Sequence, residues 1–131
     1  MDSFEKIVMK VIPSEDQRYE TVGDYFVKGN KIDFRVSDLN NMDMELLVLI
    51  HELVEWTLVN RRGIKIEDID AFDIQFEKDR EVGKHTDDEE PGDDKKAPYY
   101  KEHQIATKVE KLMAKELGID WDKYNDAVME A

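Results

Sequence analysis

Apolar positions follow two different spacings along the chain, and the change from one to the other separates an N-terminal strand region from a helical remainder. Residues 6–12 are β-branched and apolar enough for a strand, which Pro13 ends. Residues 25–28 and 31–36 flank a Gly-Asn pair at 29–30, which predicts a hairpin with a two-residue turn. The first third of the chain therefore predicts a small antiparallel sheet built on a hairpin at about 24–36.

One hairpin register satisfies both faces of the predicted strands. It places apolar side chains opposite each other on one face and an acidic residue opposite a basic one on the other, as expected of paired strands. The pairs are Lys28 with Lys31, Val27 with Ile32, Phe26 with Asp33, Tyr25 with Phe34 and Asp24 with Arg35.

Beyond residue 37, apolar residues recur at spacings of three and four, which predicts helices at 44–63, 67–80, about 98–118 and 120–129. Asn40, Asn41 and Asp43 offer N-cap oxygens to the first of these helices, and Gly63 offers a left-handed stop. The third helix carries an apolar stripe that we expect to be its buried face: Ile105, Val109, Leu112, Met113 and Leu117. Together these elements predict a single α+β domain over residues 1–131.

Composition narrows the function classes. The chain has 131 residues and a net charge of −13, which argues against binding nucleic acid or an anionic membrane through bulk electrostatics. It has no Cys, so a transition metal would have to use His, Asp or Glu. The N-terminus lacks the basic-then-apolar order of a signal peptide, and no long uninterrupted apolar run is present, so we expect a cytoplasmic protein.

Residues 81–97 are strongly acidic and almost free of apolar side chains. Such a segment buries too little surface to fold alone, so the composition predicts a mobile loop. His85 lies within it and is therefore a poor candidate for a fixed metal ligand. Asp73, in the helix before the loop, is expected on a solvated face, with support of a ligating imidazole as the alternative.

The first helix carries His51, Glu52 and Glu55 inside the most apolar segment of the chain. His51 and Glu55 are four residues apart and share one helix face, with roughly 6 Å between their Cβ atoms. Glu52 points about a hundred degrees away around the axis, where it suits a general base better than a ligand. This is the logic of the His-Glu-x-x-His motif with a carboxylate in place of the second imidazole. The alternative is a buried, hydrogen-bonded histidine with no metal.

This order of elements resembles the minimal layout of zincin metallopeptidases. The resemblance rests on the strands at 25–36, on His51-Glu52-x-x-Glu55, and on the later helix that begins Tyr100-Lys101-Glu102-His103-Gln104-Ile105-Ala106. Small phage and prophage proteins of undefined function share the strand-then-HELVE order and the Glu-His-x-x-Ala segment. The resemblance implies a zincin-like fold and a metal-dependent hydrolase of the metallopeptidase type acting on a peptide or protein.

His103 is the best third ligand for a site built on His51 and Glu55, because it precedes Ala106 by one helical turn and a small residue lets another helix approach closely. Three protein ligands with an open fourth position are typical of catalytic zinc, so we expect one divalent ion, zinc first, with iron or manganese as alternatives. Glu52 is then the expected catalytic base. In the competing interpretation, His103 is an ordinary boundary residue.

Two other functions remain open from the sequence. Glu52-x-x-Glu55 followed by Asp70-x-x-Asp73 resembles the paired acidic helices with which all-α nucleotide pyrophosphohydrolases hold magnesium. The third hypothesis is a non-catalytic acidic interaction module, whose signature would be the absence of metal.

Overall fold

A computed structural model describes residues 3–131, so residues 1–2 of the predicted domain lie outside it. Residues 3–131 form three strands, β1 (Lys6–Ile12), β2 (Gly23–Lys28) and β3 (Lys31–Ser37), followed by four helices. The helices are α1 (Met42–Arg61), α2 (Ile66–Glu81), α3 (Tyr100–Glu116) and α4 (Trp121–Glu130). The α+β class is confirmed.

The hairpin register is confirmed at every predicted pair, from Lys28 with Lys31 to Asp24 with Arg35. The charge match on its polar face is made differently, because Arg18 from the preceding loop binds the Asp24 carboxylate at 2.7 and 2.9 Å. The Arg18 guanidinium also lies over the ring of Phe26. The register thus followed from the pairing of side chains across the strands. The Arg18–Asp24 ion pair instead depends on the path of a loop, which no local sequence pattern indicates.

The sheet is mixed and has the strand order β1-β3-β2, which corrects the purely antiparallel sheet expected from the sequence. β2 runs antiparallel to β3, but β1 runs parallel to it. The reason is topological: residues 13–22 carry the chain past the end of β3, where Gln17 donates to the Ser37 hydroxyl, so β1 and β2 occupy opposite edges.

One face of the sheet packs on α1. Ile32, Phe34 and Tyr25 are buried there, and Leu49 and Trp56 of α1 pack against them. Asn41 caps α1 by accepting a hydrogen bond from the Met44 backbone N–H, as its position predicted. This packing fixes the direction in which α1 presents its other face, towards α3.

The buried face of α3 is not the predicted apolar stripe. Val109, Leu112, Met113 and Leu117 are exposed, between 37% and 63% of their surface. The residues that turn inward are Glu102, His103, Ala106, Glu110 and Ala114. Because α3 packs on α1 along this polar and small-residue face, its hydrophobic pattern misidentified the side that is buried.

Among residues 3–131, no helix has both the length and the apolar character needed to cross a lipid bilayer.

Candidate metal centre

Three side chains converge between α1 and α3, and they are the three predicted metal ligands. His51 Nε2 lies 3.1 Å from Glu55 Oε2 and 3.1 Å from His103 Nδ1, and His103 Nδ1 lies 3.0 Å from Glu55 Oε2. All three residues are buried. The two residues of α1 share a face because they are four apart, and His103 reaches them because Ala106 on the same face of α3 is completely buried at the helix contact.

The dimensions of this triangle fit a transition metal. Tetrahedral ligands at about 2.0–2.1 Å from zinc stand roughly 3.3 Å from one another, slightly more than the spacing seen here. Two imidazoles and one carboxylate are also a donor set that zinc, iron and manganese accept.

The other nitrogen of His51 is held by a carboxylate. Its Nδ1 lies 2.7 Å from Glu110 Oε1, and the Tyr124 hydroxyl of α4 donates to the other oxygen of Glu110. When His51 is neutral, its proton stays on Nδ1, where the Glu110 carboxylate accepts a hydrogen bond from it, and the Nε2 lone pair faces the triangle. Glu110 therefore fixes His51 in the tautomer that a metal requires.

His103 is held from the acidic segment, again on the side away from the triangle. Its Nε2 lies 3.2 Å from Glu90 Oε2 and 3.3 Å from Asp93 Oδ1. The alignment with either oxygen is too poor for a hydrogen bond, so the attraction is mainly that of charges. Gly92 lies directly over the ring, where a Cβ atom would stand only 2.4 Å from His103 Cγ. The short turn at Pro91–Asp93 thus belongs to the site, which its composition did not suggest.

The pKa shifts in the cluster show that its buried carboxylates need positive charge beside them. Burial lowers the pKa of both imidazoles, but Glu110 and Glu55 raise that of His51 to about 10, and Asp93, Glu55 and Glu90 raise that of His103 to about 12. Burial acts to raise the pKa of Glu55, yet hydrogen bonds from His103 and His51 lower it to about 2. The carboxylates therefore require either protons on the imidazoles or a divalent cation that replaces them.

Glu55 is further oriented by Tyr25 of β2, whose hydroxyl donates to Oε1 at 2.9 Å and leaves Oε2 for the triangle. Glu52 borders the same cleft, which has a volume of about 850 Å³. Its carboxylate lies against the α-carbon of Gly23, where a Cβ atom would come within 2.5 Å of Oε1. Burial and the neighbouring Glu55 raise the pKa of Glu52 well above its usual value, a property expected of a proton-transfer group.

The remaining candidates lie elsewhere. His85 stacks on Phe76 with ring centroids 3.7 Å apart, and its Nδ1 lies 2.8 Å from Glu89 Oε2. Asp70, one of the four acidic residues on which the pyrophosphohydrolase hypothesis rests, accepts hydrogen bonds from the Arg18 guanidinium at 2.9 and 3.2 Å. The three-stranded sheet also differs from the all-α architecture of that class.

Asp73 is buried, which corrects the expectation of a solvated face. Within residues 3–131 it makes no hydrogen bond to an imidazole. Instead it accepts hydrogen bonds from the hydroxyls of Tyr99, at 2.6 Å, and Tyr19, at 3.2 Å. The ring of Tyr99 packs edge-on against His103. Asp73 thus anchors a neighbour of the site.

Glu110 belongs to the cluster, although no motif in the sequence indicated it. It lies seven residues after His103, two helical turns along the same face of α3, and that spacing is the signal that would have found it.

No protein-family model matches the chain, and comparisons with curated proteins and with solved structures likewise gave no match.

Replacing Glu110 by Gln tests its positioning role. An amide can still contact Nδ1, but it loses the charge that fixes the tautomer, so we expect zinc affinity to fall about 10- to 100-fold. Competition with a chromophoric chelator measures the change. Glu116→Gln, an exposed change on the same helix, is the control and should leave the affinity unaltered. Equal affinities for Glu110→Gln and the wild type would remove Glu110 from the site.

Replacing Asp73 by Asn tests the cost of burying its charge. Burial raises the pKa of Asp73 to about 7 from 3.8, so the folded state binds the proton more tightly than the unfolded state. This contribution to stability is complete below pH 4 and is lost as the pH rises through 7. Asn has no carboxyl group to ionise, so the variant does not lose stability in this way. Between pH 5 and 8 its free energy of unfolding should therefore rise by up to about 3 kcal/mol relative to that of the wild type. Urea unfolding at both pH values measures the gain, and parallel pH profiles would contradict it.

Proposed function

We propose that the chain binds one divalent metal ion through His51, Glu55 and His103 and acts as a zincin-like, metal-dependent hydrolase of the peptidase type. The proposal rests on the triangle of ligand atoms 3.0–3.1 Å apart, in which His51 and Glu55 are also hydrogen-bonded to Glu110 and Tyr25 on their outward sides. A merely hydrogen-bonded core histidine does not require two imidazoles and a carboxylate to converge on one point.

Zinc is the ion that the donor set favours, with iron or manganese as substitutes. A bound divalent ion supplies Lewis acidity, which polarises a carbonyl and makes water a better nucleophile near neutral pH. Glu55 balances part of the ion's charge, while Glu110 and the turn at 91–93 hold the two imidazoles in place. These residues prepare the site before a substrate arrives.

Glu52 is the group available to move a proton. Its carboxylate makes no hydrogen bond within residues 3–131, and it borders the cleft beside the triangle. As a base, it would accept a proton from the attacking water and later pass it to the departing amine. Because the Glu52 carboxylate lies against Gly23, it stands beside the start of β2.

The first half of β2, residues 23–25, lines this cleft, and β2 pairs only with β3 within the described residues. An unpaired strand edge beside a reaction centre suits an extended peptide, which can hydrogen-bond to it as an additional strand. This arrangement supports a peptide or protein substrate over a compact small molecule. The same strand-and-helix order supports kinship with the zincin-like phage and prophage proteins.

Metal content after purification is the first test of the ligand set. We expect near-stoichiometric zinc, iron or manganese in the wild type and strong loss in His51→Ala and in His103→Ala, because two remaining ligands hold the ion weakly. Elemental analysis of dialysed protein measures it. His85→Ala is the matched control, since His85 lies on Phe76 and should not affect the metal. Metal retained in His103→Ala, or lost equally in His85→Ala, would contradict the assignment.

Turnover tests the role of Glu52. Chelator-sensitive cleavage of a quenched fluorescent peptide library should fall by a factor of about 100 or more in Glu52→Gln, because the amide cannot accept the proton. The metal content should remain that of the wild type, since Glu52 is not a ligand. Glu116→Gln serves as the exposed control. Wild-type cleavage rates in Glu52→Gln would exclude Glu52 as the base.

A further inference from the structure

The edge strand β1 exposes apolar side chains on the face of the sheet that elsewhere forms the core. Ile7, Met9 and Val11 are 59%, 48% and 54% exposed, although they share a sheet face with the buried Ile32, Phe34 and Val36 to which they are paired. Within residues 3–131, β1 pairs only with β3, so its outer edge is free. Exposed apolar side chains along a free strand edge are a template for another strand.

The backbone of the same residues faces this free edge. The Lys6 N–H donates to Asn30 O, and Ile12 O accepts from the Asp38 N–H, so residues 6 and 12 turn their polar groups towards β3. Alternate residues of a strand bond to opposite sides, so the N–H and C=O groups of Ile7, Met9 and Val11 point outward. Their side chains and their hydrogen-bonding groups are therefore available together.

We propose that β1 is a homodimer interface, at which two copies of the chain pair their β1 strands antiparallel about a two-fold axis at Met9. A two-fold axis perpendicular to the sheet keeps the apolar face of both copies on the same side. Full overlap of the seven residues places Met9 opposite Met9, Ile7 opposite Val11, Val8 opposite Lys10 and Lys6 opposite Ile12. Ile7, Met9 and Val11 then exchange six backbone hydrogen bonds between the copies, and the two sheets become one of six strands.

The charges on β1 favour a second copy of the chain as the partner, and they favour one register of strand pairing. In a chain of net charge −13, most surfaces repel a second copy, but β1 has two lysines and no carboxylate. With full overlap, neither lysine lies opposite another lysine. A slip of two residues in one direction puts Lys6 opposite Lys10, and a slip in the other puts Lys10 opposite itself, and like charges directly opposite are unfavourable. The lysines thus permit one dimer register and disfavour its neighbours.

Sedimentation equilibrium of the full chain tests the dimer. We expect twice the mass of one chain for the wild type and for Leu112→Lys, which changes an even more exposed apolar residue on α3. Met9→Lys should be a folded monomer, because it places two lysines on the two-fold axis. A monomeric wild type at high micromolar concentration would overturn the proposal, as would a dimer unaffected by Met9→Lys.

Oxidative cross-linking tests the register and does not depend on a disruptive variant. The chain has no Cys, so a single introduced thiol can link only to its copy. Met9→Cys should form a disulfide dimer rapidly, since paired Cα atoms across the axis stand about 5.5 Å apart, within disulfide reach. Val11→Cys should not, since the two residues would be about 13 Å apart along the strands. Cross-linking of Val11→Cys with none for Met9→Cys would overturn the register.

Discussion

The burial of carboxylates opposite imidazoles between α1 and α3 is the constraint on which the structure depends. Glu55 and Glu110 are buried with His51 between them, and such charges are tolerated inside a protein only when opposite charge accompanies them. The two histidines can provide that charge as protons, and a divalent ion can provide it in their place. The same cluster therefore stabilises the contact between the helices and, as the proposed metal centre, would couple stability to metal content.

The buried His and Glu side chains between α1 and α3 form a polar seam, and this seam explains how the helices around it pack. On α3, the inward face combines His103 and Glu110 with Ala106 and Ala114, whose small side chains let α1 approach. The apolar residues of α1 pack partly on the sheet and partly beside the seam. A helix that is apolar on most sides therefore still carries the polar side chains of His51, Glu52 and Glu55. Tyr25, Tyr99 and Tyr124 surround the cluster and join its carboxylates, or those of Asp73, to β2, the start of α3 and α4. Most elements thus contribute one group to the site, although the three proposed ligands come from two helices.

Local chemistry in the sequence predicted much of this arrangement. The hairpin register followed from side-chain pairing, the capping residues of α1 and α4 from their amide and carboxylate side chains, and the convergence of His51, Glu55 and His103 from helical spacing and the small Ala106. The parallel placement of β1 was missed because it depends on the path of a loop. The inward face of α3 was missed because periodicity assumes that apolar residues are buried, whereas here His103, Glu110 and small residues occupy that position. The turn at 91–93 and Asp73 were missed for a related reason, since acidic residues were expected in solvent.

Anomalous scattering from crystals of the protein grown with zinc locates a bound ion without reference to activity. We expect one strong difference peak at the zinc edge, about 2.0–2.2 Å from His51 Nε2, His103 Nδ1 and Glu55 Oε2. A fully loaded crystal with no peak between these three atoms, or with its principal peak at surface carboxylates, would contradict it.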